Sequence, residues 1–223
     1  QAIFQGDHLP QDIRGDLFIC EPVGRLIRRA KVINRDGQIF LKSAYHQKEF
    51  LASTDMNFRP VNMATGPDGC LYIVDMYRGI IQESNWTREG SFLRPVIKRE
   101  KLDKNFGRGR IYRLVYEDDK PGPRPQMLQE SSEELVKHLA HPNGWWRSTA
   151  QKLILIRGDK SVVGELKKMA TNDYSWTERI FSSDKNESSA VSRVHVLWTL
   201  KGLEALDKDV LFKECEKISA ILE

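Results

Sequence analysis

The 223-residue chain is poor in the residues that build small metal, haem and disulfide sites. Its three cysteines are Cys20, Cys70 and Cys215, and none lies in a CxxC or CxxCH spacing. That pattern excludes a zinc ribbon, a c-type haem attachment site and thioredoxin-like chemistry within the chain. An odd number of cysteines also argues against a complete disulfide framework. No apolar run approaches the roughly 18 residues that a membrane helix needs, so we expect no membrane span in this segment.

The chain also lacks a strong excess of either charge. It carries 35 Lys and Arg against 31 Asp and Glu, a net charge of +4. So small a surplus is typical of a mixed solvated surface, and we expect no nucleic-acid partner. Apolar residues make up 40% of the sequence, which is enough for a core and excludes global disorder. Because the chain begins at Gln1 without a basic and apolar leader, we expect that a targeting segment is absent or was cut off.

Residues 1–116 consist of short runs rich in β-branched and aromatic residues, separated by turn residues. Gly37 follows Arg35 and Asp36, and Gly69 ends the sequence Gly66-Pro67-Asp68-Gly69. We expect both glycines at positive φ in turns between strands. Several short strands with regular turns predict a sandwich, a barrel or a propeller. The predicted strands are Asp16–Cys20, Leu26–Ile33, Ile39–Tyr45, Leu71–Met76 and Arg110–Tyr116.

An internal repeat favours the propeller among these all-β architectures. Shifting the chain by 54 residues places Gly15–Glu21 on Gly69–Asp75, and places Leu26 and Ile27 on Ile80 and Ile81. Self-similarity at roughly 40–50 residues is typical of propeller blades. Residues 1–116 hold little more than two blades, and two blades leave open edges. We therefore expect missing N-terminal blades upstream, with this chain as the C-terminal part of a longer protein.

The second half of the sequence has helical periodicity. Residues Glu117–Gln126 contain three prolines and read as a linker. Ser131 is a predicted N-cap, with Leu135 and Leu139 on one helix face. Arg147 and Arg193, 46 residues apart in similar helices, favour HEAT-like repeats over an ordinary irregular helical domain. The further predicted elements are helices Trp145–Arg157, Val162–Thr171, Ser192–Leu203 and Asp209–Leu222, with a loop at Tyr174–Ser189.

The predicted fold class is therefore all-β followed by all-α. Residues 1–116 are predicted to form the incomplete C-terminal blades of a β-propeller, residues 117–130 a linker, and residues 131–223 HEAT-like helical repeats.

Seven motifs in order carry a resemblance to a known family. They are Arg14–Pro22, Glu49–Asp55, Phe58–Val61, Gly66–Arg78, Gly109–Arg113, His141–Arg147 and Leu197–Leu203. The set resembles the membrane-bound dehydrogenase-like proteins of the planctomycete type, which are similar to soluble quinoprotein glucose dehydrogenase. The resemblance implies a propeller followed by HEAT-like helices, a periplasmic or extracellular location, and often a haem c domain. Arg28 stands where that family usually has a histidine, and any haem domain lies outside this chain.

Four residues near predicted strand ends are candidates for ligand chemistry. Arg59, Tyr77 and Arg78 are candidate cofactor-binding residues, because arginine forks bind the carboxylates of a quinone or an acidic sugar. Asp75 is a candidate catalytic residue, as an acceptor for a sugar hydroxyl or as a base. The alternative is a structural Arg–Asp pair between adjacent blades. His8 is a second candidate general base, because the pKa of histidine suits that role.

The remaining histidines and tryptophans predict packing rather than chemistry. His138 and His141 are three residues apart, but no third ligand is in view, so we predict no metal site. Trp145 and Trp146 begin a helix, where core packing is more usual than sugar stacking.

Two hypotheses of function follow. In the first, the chain is a fragment of an exported quinoprotein-like sugar or alcohol dehydrogenase that passes electrons to a haem c domain or a cytochrome c. Pyrroloquinoline quinone, calcium and haem c would belong to the full-length protein, with no cofactor within this chain. The fragment alone is then expected to be inactive. In the second, the chain is a non-enzymatic propeller-plus-solenoid module that binds polysaccharide or a protein partner.

Overall fold

The computed structural model describes residues 1–171 and 190–213. The chain divides into two compact units, Gln1–Pro123 and Arg124–Glu223. Within the described ranges, no helix has both the length and the apolar character needed to cross a membrane.

The first unit contains a five-stranded antiparallel sheet. Its strands are β1 (Ala2–Ile3), β2 (Leu17–Glu21), β3 (Leu26–Arg35), β4 (Gln38–Ser43) and β5 (Leu51–Ala52). The order is β1-β2-β3-β4, and β5 pairs with the first two residues of β3. Asp36 and Gly37 connect β3 to β4 with φ of 50° and 74°. A tight hairpin turn of type I′ requires positive φ at both central residues, so Gly37 behaves as the sequence predicts.

The second sheet of this unit has three antiparallel strands. They are β6 (Pro60–Thr65), β7 (Leu71–Asp75) and β8 (Arg110–Leu114), with β7 in the middle. The turn between β6 and β7 ends at Gly69, whose φ is +78°, as predicted. Helix α1 (Arg94–Glu100) lies in the chain between β7 and β8. It begins with a proline in its first turn and ends at Lys101 in the left-handed conformation.

The two sheets contribute to one apolar core in the first unit. Phe18 of β2 is fully buried, and its ring meets those of Phe4 and Phe50 edge-on at 6.5 and 4.8 Å. The other core residues are Leu9, Ile13, Ile27, Met63, Leu71 and Ile73. Alternation along β7 buries Leu71, Ile73 and Asp75, so this strand carries a carboxylate on its core-facing side.

The second unit is helical over its described residues. Its helices are α2 (Ser132–His138), α3 (Gly144–Arg157), α4 (Val163–Thr171) and α5 (Ala190–Gly202). Ser131 caps α2 in a capping box with Glu134, as predicted. Asn143 caps α3, and Gly158 ends it in the left-handed conformation. The buried core includes Leu135, Leu139, Trp146, Ala150, Ile154, Leu166, Val196 and Leu200.

The predicted fold class, all-β propeller blades followed by all-α HEAT-like repeats, is wrong. The described residues form a mixed α/β structure with two small antiparallel sheets and several helices, and they contain no closed barrel or propeller. The sheets have five and three strands rather than two equal blades of four, and α1 lies inside the β-rich unit. The expectation of missing N-terminal blades depended on the predicted propeller and is therefore no longer supported.

The physical reason is that the internal repeat covers a single strand. Gly15–Glu21 and Gly69–Asp75 do correspond, since they contain β2 and β7. Beyond them the correspondence ends, because Leu26 and Ile27 open β3 whereas Ile80 and Ile81 lie outside any strand. Residues 208–213 are helical, but the rest of the predicted helix Asp209–Leu222 and the predicted loop Tyr174–Ser189 fall outside the described residues.

Candidate functional site

The carboxyl end of β7 brings together three of the predicted site residues. Asp75 is the last residue of β7 and pairs in register with Pro60 of β6 and Arg110 of β8. Its Oδ1 atom accepts hydrogen bonds from the backbone N–H groups of Arg59, at 2.8 Å, and Tyr77, at 2.7 Å. A single buried carboxylate oxygen therefore fixes the backbone on both sides of the strand end.

Three buried polar atoms around this carboxylate have no hydrogen-bond partner among the described residues. They are Asp75 Oδ2, Arg59 Nε and Asn105 Oδ1. Asp75 is only 1% exposed. Asn105 belongs to the same group, because its Nδ2 atom donates to the carbonyl oxygen of Tyr77 at 3.0 Å. An unsatisfied buried polar atom costs about 1–3 kcal/mol, so three together indicate a place for bound water or a polar ligand.

The guanidinium of Arg59 is largely occupied by the protein itself. Nη1 donates to the carbonyl oxygen of Phe58 at 3.2 Å, and Nη2 donates to that of Gly79 at 2.8 Å. Burial lowers the pKa of Arg59, and the neighbouring Arg25 lowers it further. Nε is the nitrogen without any partner among the described residues, while Nη1 and Nη2 each use one of their two N–H groups in these bonds.

Tyr77 holds a strained backbone conformation beside the carboxylate. Its φ is +47°, which costs a non-glycine residue about 1–3 kcal/mol and is common at functional sites. The guanidinium of Arg110 lies 3.5 Å from the centre of its ring. A hydrogen bond to Asp55 raises the pKa of the Tyr77 phenol. Arg78 lies apart from the group, since it is exposed and its guanidinium covers the ring of Phe106 at 4.8 Å.

We name the residues Arg59, Asp75, Tyr77, Asn105 and Arg110 the Asp75 cluster. An apolar cavity of about 420 Å³ lies on the same face of the second sheet. Ile73 and Tyr112 form one cross-strand pair, and Asp75 and Arg110 form the next pair on that face. The residues lining the cavity are Leu51, Ala52, Ser53, Phe58, Ile73, Tyr112, Arg113 and Leu114.

Tyr112 supplies an accessible aromatic surface on the wall of the cavity. Its side chain lines the cavity, the residue is 39% exposed, and its ring lies 6.2 Å from that of Phe58. Alternation along β8 places Arg110 and Tyr112 on one side of the strand. The cavity has an apolar wall and one aromatic ring, and the Asp75 cluster, with its unsatisfied donor and acceptors, lies one cross-strand pair further along the same face. An apolar pocket with a few polar groups nearby is the usual composition of a small-ligand site.

His8, the other predicted catalytic residue, lies at the opposite end of β7. Its backbone N–H donates to the carbonyl oxygen of Gly69, which precedes the strand. Its ring Nδ1 atom lies 3.0 Å from a carboxylate oxygen of Asp119. Since β7 is five residues long, roughly 13 Å of strand separates its two ends. His8 and Asp75 therefore do not act on the same atom of a small substrate.

The described residues do not favour the metal and quinone sites that the resemblance implies. They contain no group of three or more His, Cys, Asp or Glu side chains placed to hold a metal ion. Calcium requires six to eight oxygen ligands, whereas Asp75 has Arg59 and Arg110 beside it. Both terminal nitrogens of Arg59 already donate to backbone carbonyls, so this arginine does not present a wholly free fork to the carboxylates of a quinone. The described residues of the Asp75 cluster do not by themselves form either site.

The two neighbouring histidines of the second unit serve packing. His138 Nε2 lies 2.7 Å from a carboxylate oxygen of Glu130, and the ring of His141 stacks on Trp146 with centroids 5.0 Å apart. Trp146 is buried in the helical core, as the sequence predicts for the tryptophan pair.

Sequence reasoning missed two members of the Asp75 cluster and the aromatic wall. Arg110 and Tyr112 lie in the quoted Gly109–Arg113 motif, and their pairing with β7 was the signal that could have placed them. Asn105 follows α1, a helix that the sequence did not predict, so nothing in its surroundings pointed to the site.

Comparison with protein families gives a match that covers all the strands of the first unit and the whole Asp75 cluster. Residues 1–118 match DUF7133, described as a domain of unknown function. Comparison with curated proteins gives no match, and comparison with solved structures gives none either. Because the matched residues make up more than half of the chain, the protein belongs to the DUF7133 family.

Proposed function

We propose that the β-rich unit binds a carbohydrate in the cavity beside Asp75. The observation that carries the proposal is the buried Asp75 Oδ2 atom without a partner, in a cluster that also contains the unpartnered Arg59 Nε and Asn105 Oδ1. A sugar hydroxyl donates one hydrogen bond and accepts others. The hydroxyl groups of a sugar can therefore satisfy both acceptors and a donor of one cluster, which an apolar ligand cannot do.

The cavity suits the remaining part of such a ligand. Its volume of about 420 Å³ lies within the range of small-ligand sites, roughly 300–1,000 Å³. The exposed ring of Tyr112 offers a flat surface for the apolar face of a sugar. The backbone strain at Tyr77 supports a functional role for this strand end, because the protein keeps a costly conformation there.

Binding is the activity that the Asp75 cluster supports by itself. Oxidation of a sugar or alcohol would need a base and an electron acceptor, and the candidate base His8 lies at the far end of β7. An exported sugar or alcohol dehydrogenase stays a proposal for a longer protein that contains this chain, supported by the order of its motifs.

Ligand-observed nuclear magnetic resonance tests the proposal. Saturation transfer from the protein is measured to a panel of glucose, galactose, xylose, N-acetylglucosamine, glucuronate and cellobiose. We expect at least one sugar to bind with a Kd of roughly 1 mM or tighter. Replacement of Tyr112 by alanine should remove that signal, whereas Phe92→Ala, which removes another exposed ring, should keep it. No transfer to any sugar of the panel would overturn the proposal.

Dye-linked oxidation assays separate the enzyme from the binding module. The longer protein is incubated with the same sugars and an artificial electron acceptor, with and without pyrroloquinoline quinone and calcium. Turnover supports the dehydrogenase, and binding without turnover under any of these conditions leaves the carbohydrate-binding module.

A further inference from the structure

The hairpin of β3 and β4 extends beyond the rest of its sheet. Strand β2 pairs with β3 only over Leu26–Ala30, whereas β4 pairs with it as far as Arg35. Residues 31–42 therefore form a two-stranded ribbon, which we name the ribbon arm. Among the described strands, β4 pairs with β3 alone, so its outer edge presents unpaired backbone N–H and C=O groups.

The exposed edge of the ribbon arm is unusually apolar. All six residues of β4 are exposed, and Ile39, Phe40 and Leu41 are 71, 48 and 56% exposed. Proteins normally protect such an edge with charges, prolines or a covering segment, because an open apolar edge strand pairs readily with other chains. Three consecutive exposed apolar residues on an unpaired edge therefore indicate a strand that receives a partner.

The charges of the ribbon arm indicate what kind of partner it receives. Lys31 lies directly opposite Lys42, a like-charged pair that destabilises an isolated hairpin. Arg35 lies on the same face as these two lysines, as does the apolar pair Ile33 and Phe40. None of the three cations forms an ion pair with a carboxylate within the described residues. This face is therefore complementary to acidic side chains placed around an apolar centre.

We propose that the ribbon arm binds an extended acidic segment of another protein, which adds to β4 as a further strand. The backbone of that segment satisfies the open edge. Its central apolar side chains cover Phe40 and Ile33. Its flanking Asp or Glu side chains face Lys31 and Lys42 on the same face. A second copy of this chain would bring two basic faces together, and a lipid surface would leave the backbone groups of β4 unpaired.

A designed peptide tests the proposal with the intact chain. The probe is a fluorescent heptapeptide with the sequence Glu-Glu-Val-Thr-Val-Glu-Glu, and binding is measured by fluorescence anisotropy. We expect binding that weakens with added salt and is lost when alternate backbone nitrogens of the peptide are methylated. Each of Lys31→Glu and Lys42→Glu should weaken binding by about 2- to 5-fold. The matched variant Lys104→Glu, an exposed lysine of the same unit, should bind like the unaltered chain.

A charge exchange keeps the test decisive if a variant is less stable. The peptide with lysines in place of its glutamates should bind the double variant Lys31→Glu/Lys42→Glu better than it binds the unaltered chain. The proposal would be overturned if the methylated peptide bound as tightly as the unmethylated one. It would also be overturned if neither Lys31→Glu nor Lys42→Glu changed the affinity for the peptide. Two other outcomes also overturn it: tighter binding to phosphatidylserine vesicles than to the peptide, and self-association of the chain that Lys42→Glu abolishes.

Discussion

The buried guanidinium of Arg29 is expected to be a main contributor to the stability of the first sheet. Arg29 lies in the centre of β3 with its side chain 4% exposed. Its Nε atom donates to a carboxylate oxygen of Asp16 at 2.6 Å, and its Nη1 atom donates to the hydroxyl of Tyr45 at 3.1 Å. Its Nη2 atom donates to the backbone and the carboxylate of Asp12. One side chain thus connects β3 to the segment before β2 and to the loop after β4.

The replacement Arg29→Met keeps the apolar stem and removes every one of these hydrogen bonds. It leaves the carboxylate of Asp16, a residue only 8% exposed, without its cation. Breaking a buried ion pair by removing one partner costs about 3–5 kcal/mol, because the remaining charge stays buried and unpaired. The preceding residue is a matched control. Arg28 is 56% exposed and pairs with Glu49, so Arg28→Met should leave the free energy of unfolding almost unchanged.

Urea unfolding measures the difference in unfolding free energy between Arg29→Met and Arg28→Met. Unfolding is monitored by circular dichroism and by amide hydrogen exchange in β2 and β3. Hydrogen exchange is needed because the two units need not unfold together. We expect faster exchange throughout β2 and β3 in Arg29→Met and little change in Arg28→Met. Similar unfolding free energies for the two variants would refute the reasoning, because burial would then make no difference to the value of an arginine here.

Three further variants, at His195, Asn143 and Gly6, test the stability of other parts of the two units. Burial, together with Arg147, lowers the pKa of His195, so its neutral form stabilises the folded state above about pH 6.5. This stabilisation is lost as the pH falls through the lowered folded pKa, and unfolding curves of His195→Gln should depend less on pH between about 7 and 5. Asn143→Ala removes the cap on the Trp145 amide and should cost about 1–2 kcal/mol in urea unfolding. Gly6→Ala would place a Cβ atom 2.1 Å from the Gly69 carbonyl oxygen, and we expect a loss of about 1–3 kcal/mol by the same measurement.

Local signals in the sequence were sufficient for most of the longer elements. Strands β2, β3, β7 and β8 and helices α2 to α5 lie close to their predicted positions, since each has clear periodicity and recognisable turn or cap residues. Strands β1 and β5 have two residues each, too few to show any alternation. Strand β6 begins at Pro60, which weakens a strand signal although the first strand position tolerates proline. Helix α1 has seven residues and an early proline, so its helical period is short.

Non-local pairing could not be predicted from the sequence. The similarity of Gly15–Glu21 to Gly69–Asp75 indicated equal blades, but β2 lies in a five-stranded sheet and β7 in a three-stranded one. Pairing partners are not encoded in a strand's own residues. The same limit applies to the site. Arg59, Asp75 and Tyr77 stood out as polar residues near strand ends. Asn105 lies 28 residues after Tyr77 in the sequence, and only the folded chain brings it into contact with Tyr77.

The most direct test of the carbohydrate site is a titration of the Asp75→Asn variant with the sugar that binds best. Asparagine keeps an Oδ1 atom for the backbone amides of Arg59 and Tyr77, but replaces the unpartnered Oδ2 acceptor by a donor. Loss of a hydrogen bond to a charged group corresponds to about 1.5–3 kcal/mol, so we predict that calorimetry finds binding at least about 10-fold weaker. Asp36→Asn makes the same chemical change in the β3–β4 turn and should leave the affinity unchanged. Equal affinities for Asp75→Asn and the unaltered chain would contradict the central claim.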